Sequence, residues 1–347
     1  MSMDNEIILS ICISAYNRRD LTCENVRKIL QYEGDDIEVI VSDNASEDGT
    51  FEALKHIEDK RLRVYRNEIN VGLGGNTMRL LAYAAGKYVM TINEKDWVDA
   101  QDIKDFVRVY KKRECDFILS TNYEDPYEAI KDRIVRRCLL LFRFGHPGLW
   151  IVRRTVYNEL VTRAKDTELE AYTGEWKRDM LRLREALCLY AKRWERFKGL
   201  VKTPDPDREA RIVPLRGKTD LEKIFFTPAS RVYQFTALLD NPYIKSDDMK
   251  KYITAVYREN IYCSLTLFCS FRHAPQYVAK YHYKWEKSVS WIKIAANFYR
   301  KAMSALREKD LFTYSFAVRF GVITIQEYIR VCKLRLKYWL NLIGIGV

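Results

Sequence analysis

Apolar positions in the first 120 residues fall in short, nearly unbroken runs, separated by stretches of helical periodicity. The runs are Ile7 to Ile13, Ile37 to Ser42, Leu62 to Tyr65, Tyr88 to Ile92 and Phe117 to Leu119. Such runs mark strands buried on both faces of a parallel sheet. Between them the spacing predicts helices over Leu21–Gln31, Gly49–Ile57, Gly74–Ala85 and Val98–Lys112, the third stopping at Gly86. This alternation predicts an α/β fold, a mostly parallel sheet with helices on both faces.

Past residue 120 the pattern changes. Ile130 to Phe144 mixes periods, Leu149 to Val152 predicts another strand, and Lys177 to Arg196 predicts a helix. Thr203-Pro204-Asp205-Pro206-Asp207 is a breaker. From about residue 218 the chain reads as all helix, rich in Tyr, Phe and Trp. These shifts divide the chain into 1–120, 121–215 and a helical 216–347. Over 325–343, Gln326, Arg330, Lys333, Lys337 and Asn341 form one narrow polar face. The segment suits a terminal helix packed on its domain. The alternative is a basic helix in a membrane interface, with Tyr338 and Trp339 at the headgroups.

Composition narrows the partners. The 347 residues are 48% hydrophobic and 31% charged, which describes a folded chain. The net charge of +12 is uneven: 17 Lys and Arg face 22 Asp and Glu through residue 120, and 42 face 25 beyond it. The basic part suits an anionic membrane surface or a pyrophosphate-linked lipid. Nucleic acid is not expected, since the first part is acidic and no binding motif for it is present. The eight Cys form no CxxC pair and the four His do not join them, which argues against zinc and for reduced core cysteines of a cytosolic protein. The start MSMDNEII predicts no signal peptide, and no apolar stretch is long enough for a transmembrane helix. The expected location is cytoplasmic, or peripheral at the inner face of the membrane.

Ligands of open α/β sheets bind beyond the carboxyl ends of the strands. The first such loop is Ser14-Ala15-Tyr16-Asn17, whose Tyr16 can lie flat on a nucleobase or simply pack. The second, Ser42 to Thr50, holds Asp43 and Asn44. An Asp there can accept a hydrogen bond from a pyrimidine N3–H, while Ser46 or Asp48 can cap the next helix. The third, Arg66 to Asn76, is rich in glycine and feeds a helix N-terminus, which favours phosphate. The fourth, Asn93-Glu94-Lys95-Asp96-Trp97, places two carboxylates after a buried strand, where they can hold a divalent cation. Alternatively Asp96 caps the following helix and Glu94 is surface.

Taken in order, these segments resemble the N-terminal half of a family 2 glycosyltransferase of the GT-A fold. The match runs over residues 7–118 through Ser14-Ala15-Tyr16-Asn17, Ser42-Asp43-Asn44-Ala45-Ser46 with Asp48 and Thr50, Asn67 to Asn76, and Ala85-Gly86-Lys87-Tyr88. The resemblance implies Tyr16 and Asp43 at the nucleobase, with Ser14, Asn17, Asn44 and Asn76 lining the donor. It implies Asn93 to Trp97 at the ribose, diphosphate and metal. It also implies inverting transfer in one displacement from a nucleotide sugar, a UDP-sugar foremost, to a saccharide or lipid-linked acceptor of a surface polysaccharide. A second-half carboxylate would be the base: Asp179, with Glu175 and Glu185 as alternatives, and His146 close by. Two departures stand out. Ala15 replaces the usual Pro, and Asn93-Glu94-Lys95-Asp96 replaces an Asp-x-Asp-Asp metal motif. Either Glu94 and Asp96 still hold Mn2+ or Mg2+, or Lys95 neutralises the diphosphate itself. A catalytically silent nucleotide-sugar-binding or scaffold protein of the same fold is the alternative function.

Overall fold

The structure, a computed structural model, describes residues 6–94, 96–143, 147–156, 158, 184, 187–202, 235, 239, 246–273 and 291–342. The chain divides into two compact units, one of residues 1–129 and 143–215, the other of 130–142 and 216–347.

In the first unit, β1 (Leu9–Ala15), β2 (Ile37–Asp43), β3 (Leu62–Arg66) and β4 (Tyr88–Asn93) alternate with α1 (Arg19–Leu30), α2 (Thr50–Lys55) and α3 (Gly72–Tyr83). Then come α4 (Ala100–Tyr110), β5 (Phe117–Ser120), β6 (Trp150–Arg153) and β7 (Trp194–Phe197). The seven-stranded sheet has the order β3-β2-β1-β4-β6-β5-β7. All pairings are parallel except those of β6, which is antiparallel to β4 and β5.

Alternation along the strands sorts apolar side chains to two layers. Ile11, Ile13, Val39, Val41, Met90 and Ile92 join one core with residues of α1, α2 and α4. On the other face Cys12, Ile40 and Val89 pack with Leu80 and Ala84 near α3. Both faces of the central strands are therefore dry, which is why those segments read as unbroken apolar runs.

Three local findings differ from the pattern read along the chain. Trp194–Phe197 is a strand, paired in parallel with β5 from Phe117↔Trp194 to Ser120↔Phe197, where helical spacing had predicted the end of a long helix. Pairing with an already buried strand overrides local periodicity there. The segment 130–144, mixed in its spacing, carries the helix α5 (Arg133–Arg143). Finally, α3 ends at Tyr83, and Gly86 does not stop it. A Cβ at Gly86 would lie 2.7 Å from Ser10 Oγ and 2.8 Å from Ser10 N, so glycine is required by close approach to β1. The Gly86 N–H donates to Ser10 Oγ at 2.8 Å.

The second unit is helical in its described parts, with α6 (Asp247–His273), α7 (Trp291–Glu308) and α8 (Tyr314–Leu342). Its core is aromatic. Tyr257 stacks on Phe320 with centroids 4.0 Å apart, and Phe235 and Phe298 pack edge-on or tilted around them. Glu327 is buried in this unit between Arg258 and Arg330, at 3.4 and 3.3 Å. No described helix is long and apolar enough to cross a membrane.

Candidate functional site

The chain runs from β1 outward to β2 and β3, then returns to place β4 on the other side of β1. Strand order reverses there, and in open α/β sheets the carboxyl ends of the strands at such a point are where ligands bind. Register brings the candidate residues together: Ser14 lies opposite Ser42 on one side and Asn93 on the other, and Ala15 lies opposite Asp43.

Asp43 is fully buried at the end of β2. Its Oδ2 accepts from the Ser46 N–H at 3.2 Å and lies 3.6 Å from Arg66 Nε. Its Oδ1 is buried with no hydrogen-bond partner. A buried carboxylate oxygen left without a donor is costly, and a ligand N–H is the natural partner for it. Tyr16 is partly buried just past the end of β1.

The loops around Asp43 are cross-braced. Asn17, at a left-handed φ of 50°, receives Glu47 N–H on its Oδ1 at 2.8 Å, and its own N–H donates to Ser46 Oγ at 2.9 Å. Asp48 accepts from the Arg19 and Thr50 N–H groups at 2.9 and 3.1 Å. Ser46 and Asp48 thus tie one loop to the other, and Asp48 also accepts the first backbone N–H of α2, as its place in the sequence predicts for a helix start, while Ser46 does not.

Asn76 and Asn44 form the floor. Asn76 is completely buried: its Nδ2 donates to Ser14 Oγ at 2.7 Å and Ser42 O at 2.8 Å, and its Oδ1 accepts from Ser42 Oγ at 2.5 Å and Asn67 Nδ2 at 2.8 Å. Asn44 donates to Asn70 Oδ1 at 2.7 Å and accepts from Asn67 Nδ2 and Val71 N, both at 3.0 Å. These amides hold β1, β2 and the loop into α3 in place. Sequence reasoning placed Asn76 and Asn44 at the ligand but gave no role to Asn67, the hub between them.

At the other end, Glu94 and Asp96 are both buried. The Arg18 guanidinium forms an ion pair with Glu94 Oε1. Burial raises the Glu94 pKa above its ordinary value, the Arg18 charge opposes that rise, and the Asp96 charge adds to it. Asp96 Oδ2 accepts from the Asn93 N–H at 3.3 Å, and the Asn25 side chain of α1 donates to the Asp96 carbonyl. Asp96 therefore closes its own turn, and the residue at the N-cap of α4 is Asp99. Trp97 and Lys202 exchange backbone bonds at 3.2 and 2.9 Å, and the Lys28 ammonium sits 5.3 Å from the Trp97 ring centre. Arg18, like Asn67, is a residue of this region that sequence reasoning missed; its only signal was a cation beside Tyr16-Asn17. Lys95, His146, Glu175, Asp179 and Glu185 lie outside the described residues.

Residues 10–161 match the model of Glycosyl transferase family 2. The chain is 27% identical over 142 residues to UDP-Glc:alpha-D-GlcNAc-diphosphoundecaprenol beta-1,3-glucosyltransferase WfaP of Escherichia coli, covering 38% of this chain and 57% of that protein. It is 28% identical over 139 residues to abequosyltransferase RfbV of Salmonella typhimurium, covering 39% of this chain and 41% of that protein. The chain thus spans about half the length of these curated relatives. The fold is similar to the S. aureus TarS 1-349 crystal structure, with a TM-score of 0.53 and 16% identity over 96% of this chain and 92% of that one.

Proposed function

We propose that this chain, whose residues 10–161 match the Glycosyl transferase family 2 model, is a GT-A glycosyltransferase that moves a sugar from a nucleoside-diphosphate sugar to a hydroxyl of a saccharide or lipid-linked acceptor in surface polysaccharide synthesis. The observation that carries this reading is Asp43 Oδ1, buried without a partner at the strand-order switch. A uracil N3–H satisfies it, with Tyr16 against the base. The E. coli relative, named for UDP-Glc and a diphosphoundecaprenol-linked acceptor, supports a UDP donor and a lipid-linked acceptor. Ser14, Asn17, Asn44 and Asn76 line the donor, and the side-chain bonds they make within the chain hold them in place for it.

The diphosphate is assigned to the loop after β4. Glu94 and Asp96 are buried oxygen donors of the type Mn2+ or Mg2+ takes, although no group of three or more His, Cys, Asp or Glu gathers among the described residues, so bound phosphate or water would complete the shell. When bound there, the cation supplies positive charge to the departing diphosphate. Arg18 brings a fixed charge to the same carboxylate, and Lys95 is the alternative that would neutralise the diphosphate in place of the metal. In the reaction the acceptor oxygen attacks the anomeric carbon, the bond from that carbon to the phosphate oxygen breaks, and the nucleoside diphosphate leaves. Asp179, or in its place Glu175 or Glu185, takes the hydroxyl proton, with His146 near the acceptor. Attack opposite the leaving group inverts the anomeric centre.

A second reading, donor binding without transfer, draws on the Arg18–Glu94 pair, which occupies a carboxylate that the metal motif needs free. A thermal-shift panel of nucleotide sugars, with and without Mn2+, tests the proposal. One UDP-sugar is expected to raise the melting temperature and to be slowly hydrolysed without acceptor. Stabilisation with no hydrolysis would favour the silent protein, and no shift with any nucleotide would overturn both.

A further inference from the structure

One face of α8 carries a long apolar stripe that is exposed among the described residues. Tyr314, Val318, Val322, Ile325, Ile329 and Leu336 are each 47% to 85% exposed. Their spacing of three, four or seven residues puts them on one side of the helix. At 1.5 Å per residue the stripe is about 33 Å long. The opposite side is spent on the helical unit: Phe316, Phe320, Ile323, Glu327 and Val331 are buried. An isolated exposed leucine needs no explanation, but a continuous apolar stripe does.

The charges beside the stripe are one-sided. Arg319, Arg330 and Lys333 are exposed along one flank. The sole acidic residue in α8 is Glu327, buried and ion-paired with Arg258 and Arg330. Arg330 and Lys333 also share a shallow depression of about 350 Å³ with Ile329 and Leu334, so cationic and apolar groups converge on one spot. That combination fits an anionic headgroup above an acyl chain.

We infer that α8 lays this face on an anionic lipid bilayer, its apolar stripe entering the headgroup boundary and Arg319, Arg330 and Lys333 meeting lipid phosphates. A helix lying in the interface needs this division: an apolar face in the lipid and basic side chains at its edge. A second copy of the chain is disfavoured as the occupant. Two such faces brought together would set cations near cations, with no exposed carboxylate on α8 to neutralise them. The inference uses only the helical unit and does not depend on sugar transfer.

The test is sedimentation of the full chain with phosphatidylcholine vesicles, with or without phosphatidylglycerol, alongside molar mass by light scattering. The chain is expected to sediment with phosphatidylglycerol vesicles and to come off as salt rises. Ile325→Asp with Ile329→Asp is expected to weaken partitioning at least about tenfold. Arg319→Gln with Lys333→Gln leaves apolar packing intact and is expected to lose the preference for anionic lipid, so the test stands even where the aspartate pair fails to fold. Absence of wild-type binding, or unchanged binding in both variants, overturns the inference. A wild-type dimer that the aspartate pair converts to a monomer would assign the face to a second copy instead. Nucleotide-sugar hydrolysis in vesicle-free buffer reads the transferase proposal separately.

Discussion

Arg18 and Glu94 form an ion pair that joins the loop after β1 to the loop after β4 across the point where strand order reverses. The pair places a permanent cation at the end of the site where the resemblance implies a metal and a diphosphate. A buried ion pair costs more when one partner is removed than it contributes when both are present. Arg18→Met should therefore leave Glu94 uncompensated and lower stability by about 3 kcal/mol, the low end for a buried pair because Arg18 keeps some exposure. Mn2+ should restore part of that loss by taking over the carboxylate. Urea unfolding with and without Mn2+ measures both effects. A variant as stable as the wild type and indifferent to Mn2+ would remove the pair from this role.

Glu94 also sets an expectation for pH. Burial raises its folded pKa above the unfolded value. Its own contribution to stability is thus present below the ordinary carboxylate pKa and lost as pH rises through the folded value. Activity has the opposite sign, because only the ionised form holds Arg18 or a cation. The acid limb of the donor-hydrolysis profile should lie above about pH 4.3, the value of a free glutamate. Glu94→Gln should flatten that limb, and a limb that persists unchanged belongs to another group.

Asp43→Asn keeps the size of the side chain and removes its charge. A hydrogen bond to a charged acceptor contributes about 1.5–3 kcal/mol. UDP affinity should fall at least about tenfold by isothermal titration while the melting temperature of the free protein changes little. Equal affinity in the two proteins would move the nucleobase elsewhere.

Asn76→Ala should act on folding before it acts on binding. It leaves Ser14, Ser42 and Asn67 without their shared buried partner. The expected loss is about 2–4 kcal/mol by urea unfolding. A stable variant with impaired nucleotide affinity would instead make Asn76 a direct ligand contact.

Asp179→Asn is expected to abolish transfer and leave nucleotide binding intact, measured by acceptor glycosylation and by titration with UDP. Near wild-type turnover would hand the base role to Glu175 or Glu185.

The central strands β1, β2 and β4 were legible because both their faces are dry, so apolar runs survive in the sequence. The Ser42–Thr50 loop was legible because its polarity exceeds what a simple connection needs. The strand β7 was not, since its pattern Trp-Glu-Arg-Phe takes meaning only from pairing with β5, distant in sequence. Arg18 and Asn67 escaped for a related reason. Each acts through partners that only the folded chain brings near: Glu94 for Arg18, and Asn44 with Asn76 for Asn67. Over 325–343 the sequence of α8 shows one narrow polar strip. The structure adds an exposed apolar stripe that begins at Tyr314.

The most direct test of the central claim is nucleoside diphosphate release from a panel of nucleotide sugars, comparing wild type with Asp43→Asn. The account predicts release from one UDP-sugar, stimulated by a saccharide or lipid-linked acceptor and strongly reduced in the variant. Release from no donor, or release that Asp43→Asn leaves unchanged, would contradict it.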